Sequence, residues 1–159
     1  MKIRPVIQLE RTGCGIASAA AIAGVPYARA KRIAASLGIH ARDQRLWSGT
    51  AQVRRLLGRF GARTAAERPF RGWDRLPDLA LLSIKWHLEK GEPFWHWVVF
   101  VRDERGSRVL DSKKSLKRHV RTDFGRMKPK WYIAVRAAPR RAERSPGASA
   151  IRINRITII

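Results

Sequence analysis

The chain has 159 residues, 45% of them hydrophobic, which suits one domain with a substantial core, and it carries a formal net charge of +22. No stretch approaches the roughly 20 uninterrupted apolar residues of a membrane span, and Met1 to Ile7 leads into a polar segment and not a signal-peptide core, so the cytoplasm is the expected compartment. A single cysteine, Cys14, rules out an intramolecular disulfide and gives no support to a cysteine-based metal site, and no cofactor is expected.

Such a charge attracts nucleic acid, anionic lipid or acidic peptides. The basic residues are spread along nearly the whole chain, which weakens the pattern of a dedicated nucleic-acid stripe. Nucleic acid is therefore kept as an alternative partner, not the favoured one.

In chain order, Cys14 to Ala23 reads CGIASAAAIA, small apolar residues and strong helix formers, with Gly24 where a left-handed terminator belongs. A second helix is expected over Tyr27 to Leu37, with Ala30, Ile33, Ala34 and Leu37 on one side, and a third over Thr50 to Phe60, with Val53, Leu56, Leu57 and Phe60 at helical spacing. The period then changes. Leu79–Trp86, Trp97–Arg102, Arg108–Leu110 and Trp131–Arg136 are short β-branched and aromatic runs, divided by Lys90-Gly91-Glu92-Pro93 and by the tight-turn sequence Asp103 to Gly106. These features predict an α+β fold with N-terminal helices packed on a C-terminal antiparallel sheet. After 138 the composition shifts to Pro, Gly, Ser and Arg, a flexible basic tail ending in the alternating IRINRITII, so the domain is expected over 1–138 and the tail over 139–159.

A cysteine in the first turn of a helix meets unpaired amides and the positive end of the helix dipole, which favour the thiolate. The setting Gly13-Cys14-Gly15 predicts close backbone approach and an exposed thiol. Of the four histidines, His96 opens the apolar run WVVFV and so belongs at the end of a strand facing a cleft, whereas His40, His87 and His119 read as surface or packing residues. A base needs an orienting partner, and Asp111 ends the strand that the Asp103 to Gly106 turn pairs with the His96 strand; Asp103 itself belongs to the turn. Gln8, six positions before Cys14, is the candidate side-chain donor to an oxyanion.

The order Gln8, Cys14-Gly15 with Ile16-Ala17-Ser18, His96 with Val98-Val99, and Asp111 resembles the double-glycine, bacteriocin-processing branch of papain-like cysteine peptidases, over about residues 5 to 136. The resemblance implies a papain-like fold, Cys14 as nucleophile, His96 as general base, Asp111 as its orienting partner and Gln8 as oxyanion donor. Gly13 stands where that family often has Asp, and Ser112 where it often has Pro, departures that bear on substrate preference. It resembles a stand-alone member without a transporter domain, so a Gly-Gly leader substrate is not implied. The expected activity is thiol-dependent hydrolysis of a peptide or protein substrate, acidic ones included. The alternatives are a catalytically altered relative that binds peptides or transfers acyl groups, and a basic nucleic-acid-binding protein.

Overall fold

A computed structural model describes residues 2–139; the tail that follows, with its IRINRITII segment, lies outside the described residues. Four helices, α1 (Cys14–Ala23), α2 (Tyr27–Ser36), α3 (Ala51–Arg59) and the single-turn α4 (Phe124–Met127), accompany six strands: β1 (Arg63–Pro69), β2 (Leu79–Glu89), β3 (Glu92–Asp103), β4 (Gly106–Leu110), β5 (Val120–Arg121) and β6 (Trp131–Arg136). All the pairings are antiparallel, in the order β1-β6-β2-β3-β4-β5, so the expected α+β class is the one the chain adopts.

Small side chains make α1 a helix that can be surrounded. Every residue from Cys14 to Ile22 is buried, and the helix closes at Gly24 (φ 70°), whose N–H returns to the Ala20 and Ala21 carbonyls. Its close seat on the sheet depends on Gly15: a Cβ there meets Trp97 Cδ1 at 3.4 Å. The amphipathic α2 and α3 lean on this arrangement through Ala30 and Ala34, and through Val53, Leu56 and Leu57.

The central strands are covered on both faces, which is why β3 reads as a continuous apolar run and not as an alternation. Trp97, Val99, Leu81 and Ile133 belong to the cluster under the helices, while Val98, Phe100, Leu82 and Val109 form a second cluster closed by Trp73, Phe124 and Tyr132. Trp95, Trp97 and Trp131 meet edge to face in the first cluster, with centroids 4.8 to 5.6 Å apart, and the Trp97 indole N–H donates to the Leu46 carbonyl.

Two differences from the sequence expectation matter for the site. Lys90 and Gly91, with φ of 51° and 81°, make a two-residue hairpin, so β2 and β3 run past the expected Leu79–Trp86 and Trp97–Arg102, stay paired from Leu79↔Val101 to Glu89↔Glu92, and hold His96 within β3 and not at a strand end. The ladder is interrupted between Ile84 and His87 by a bulge in which Lys85 takes a left-handed φ of 54°. The strands β1 and β5 were not expected either: RTAAERP is an exposed edge with no apolar alternation, and β5 has only two residues.

Candidate active site

The loop ahead of α1 is stapled at several points. Glu10 accepts hydrogen bonds from the Tyr27 hydroxyl and the Lys31 ammonium, and the Thr12 hydroxyl donates to the Ala41 carbonyl. Gln8 Nε2 donates to the carbonyls of Glu10 and Arg11, each at 3.0 Å. Gly13 is explained by the same contacts, because a Cβ at that position lies 2.2 Å from the Tyr27 hydroxyl oxygen. An aspartate there meets the Tyr27 hydroxyl that bonds Glu10.

These contacts fix Cys14 at the first turn of α1, but they do not expose it. Cys14 is fully buried and packs within the helix-side core, contrary to the expectation of an exposed thiol between two glycines. Each glycine answers a packing demand instead, Gly13 from Tyr27 and Gly15 from Trp97.

His96 stands on β3 opposite Ile84, one residue before the bulge in β2. Its Nε2 lies 2.7 Å from Asp111 Oδ1. The hairpin from β3 to β4 carries Asp111 there: Asp103 pairs with Gly106 across the turn and Val99 with Leu110, so the next residue arrives beside the start of the buried part of β3. Asp103 serves the turn, as expected, accepting from the Arg105 amide and from Arg108.

Asp111 is wholly buried and fully engaged. Oδ1 also accepts from the Lys113 amide (3.1 Å) and Oδ2 from Arg121 Nη1 (2.9 Å), while its main chain is bracketed by His119, through the Asp111 N–H to the His119 carbonyl and His119 Nδ1 to the Asp111 carbonyl. Burial pushes the Asp111 carboxyl up, but the His96 hydrogen bond and charge, the Lys113 amide and Arg121 together hold it well below the ordinary range. For His96, burial acts downward and is outweighed by the hydrogen bonds and charges of Asp111 and Cys14, which bring the imidazole up to about 9. Nε2 faces Asp111, and Cys14 acts on the same ring.

Gln8 joins this group through the residue after Asp111. The Ser112 hydroxyl donates to Gln8 Oε1 at 2.7 Å, and the Gln8 N–H donates to the Ser112 carbonyl at 3.0 Å. With Oε1 taken by a hydroxyl and Nε2 by two carbonyls, the amide has one sensible orientation and both of its N–H groups are engaged in the loop. A cleft of about 480 Å³ opens here, with Gln8, His96, Leu9, Trp47 and Trp95 in its walls; the buried Cys14 does not line it.

The four residues singled out in the sequence are thus brought near one another: His96 bonds Asp111, Cys14 acts on His96, and Gln8 bonds Ser112 beside Asp111. Three supporting residues escaped the sequence reading. His119, read as a surface or packing residue, braces Asp111; Arg121 bridges Asp111 and Asp123; Ser112 orients Gln8. A signal for Arg121 exists in Arg121-Thr122-Asp123, an arginine two residues from a carboxylate in the segment after Asp111, but the role requires knowing the fold. His87 pairs with Glu89 and the Lys85 carbonyl. Among the described residues no group of His, Cys, Asp and Glu is arranged to hold a metal ion. No family model matches the chain, and no curated protein matches it significantly.

Proposed function

We propose that the protein is a papain-like cysteine peptidase that hydrolyses a peptide bond with Cys14 as nucleophile. The observation that carries this reading is the His96 imidazole, bonded to the Asp111 carboxylate at 2.7 Å and raised by both Asp111 and the Cys14 side chain.

In the reaction, the Cys14 sulfur attacks the scissile carbonyl carbon with the proton resting on His96. The carbonyl oxygen becomes an oxyanion that accepts from the first-turn amide of Cys14 and from Gln8 Nε2, which exchanges one of its loop carbonyls for it. Collapse breaks the C–N bond as His96 gives its proton to the leaving amine, and a thioester remains on Cys14. Water then attacks the thioester, His96 takes up its proton, and the acid product leaves as the sulfur is released. Asp111 keeps the ring in one tautomer and orientation throughout, and Arg121 and His119 keep Asp111 in place. Because Cys14 has no exposed surface, substrate access includes a displacement of the side chains above it.

That burial favours a second reading, in which the same fold binds peptides or performs a different acyl transfer without peptide hydrolysis. Turnover of a mixed peptide library, with mass spectrometry of the protein for an acyl adduct on Cys14, separates the two. Hydrolysis with a Cys14 adduct supports the peptidase; binding without turnover or adduct supports the alternative. No described helix is long and apolar enough to cross a membrane, and the cytoplasm remains the proposed compartment.

A further inference from the structure

The cleft beside His96 contains charge of both signs, but only the acids are neutralised within the chain. Glu10 is held by Tyr27 and Lys31, and Glu89 by His87. On the other side Lys85, Lys113 and Lys114 line the same cleft, and none of them forms an ion pair among the described residues.

Lys85 and Lys113 are brought together by the fold. Lys85 occupies the bulge of β2, in a left-handed conformation (φ 54°) that a lysine adopts only at a cost, and Lys113 follows Asp111 in the loop whose amide caps the Asp111 carboxylate. Both side chains line the cleft that His96 lines. Burial, then Lys113, pulls the Lys85 ammonium below its ordinary range, and the Asp111 charge acts the other way. An anion placed between the two lysines relieves their repulsion.

We propose that Lys85 and Lys113 form a carboxylate-binding subsite in the cleft beside His96, so that preferred substrates carry a carboxylate near the scissile bond. The position follows from the fold: Lys85 stands in the bulge next to Ile84, the partner of His96, and the Lys113 amide caps the carboxylate that holds His96. The carboxylate belongs either to an acidic side chain or to the C-terminus of a peptide. This inference rests on the peptidase reading for its substrate and on the lining of the cleft for its anion site.

The test measures binding to the full chain carrying Cys14→Ala, which leaves the subsite whole and prevents turnover. Matched peptides end in Asp-amide, Asn-amide or Asn with a free carboxylate, and their affinities are compared with those for the same chain also carrying K85Q and K113Q. One or both carboxylate peptides should bind about tenfold more tightly than the Asn-amide, a difference that falls within about twofold in the lysine variant and shrinks in high salt. The tighter of the two carboxylate peptides identifies the source. Equal binding of acid and amide peptides, or a preference that survives K85Q and K113Q, overturns the subsite. Wild-type turnover of the same peptides is scored separately: its absence counts against hydrolysis, and the binding comparison still decides the anion site.

Discussion

At the residue scale the site's chemistry turns on the proton of His96. Its value is raised, so the charged imidazole and the attraction to its partners are fully present at neutral pH and are lost as pH rises through about 9. On the proposed mechanism, the proton for the leaving amine disappears over the same interval. Hence kcat/KM is expected to fall above about pH 9. Asp111→Asn removes the charge that helps raise His96, so the alkaline limb moves to lower pH and the rate drops by about 10²-fold or more. A pH profile of both proteins checks this, and an unshifted limb in the variant contradicts the role given to Asp111. Gln8→Ala has two readouts because the side chain has two roles. Loss of the oxyanion donor lowers kcat by about 10²–10³-fold with little change in KM. Loss of the contacts to Glu10, Arg11 and Ser112 costs about 1–3 kcal/mol in urea melts. Ser112→Ala retains the donor but frees the amide to rotate, and is expected to lose a smaller part of kcat.

At the element scale, α1 was fully legible: an apolar small-residue run bounded by Cys14 and Gly24 is what the structure contains. So was the β3–β4 hairpin that delivers Asp111 to His96, because a turn sequence between two apolar runs fixes which ends meet. What could not be read were contacts whose two members lie far apart in the chain. Gly13 and Gly15 invited a local explanation through exposure, yet their reasons are Tyr27 and Trp97. Arg121 and Ser112 have no apolar period to mark them, and β1 lacks one as well. A double-mutant cycle tests the reason given for Gly13. Gly13→Ala forces its methyl onto the Tyr27 hydroxyl and is expected to cost about 1–3 kcal/mol, whereas in a Tyr27→Phe background the loss is smaller because the clashing oxygen is gone. Additive losses in the cycle contradict the steric explanation.

At the scale of the whole molecule, the sheet with both faces covered is a rigid base on which the site is assembled from three places: the loop before α1 with the first turn of that helix, the first half of β3, and the residue after β4. The net charge of +22 was the loudest signal in the sequence, and it says least about the chemistry, because it is spread over the surface while the site depends on a few buried polar groups. Every residue of the site precedes position 139, so a chain ending at Ala138 is expected to keep full turnover; normal melting with lost activity contradicts this. The most direct test of the central claim is alkylation of Cys14 in the folded protein, followed by intact mass. If Cys14 and His96 act as a reactive pair reached from the cleft, iodoacetate labels Cys14 at pH 7, the rate falls above about pH 9 as the imidazole discharges, and His96→Ala abolishes the labelling at pH 7. A Cys14 that stays unlabelled until the protein unfolds, or labels equally in His96→Ala, contradicts the claim and marks it as a core cysteine.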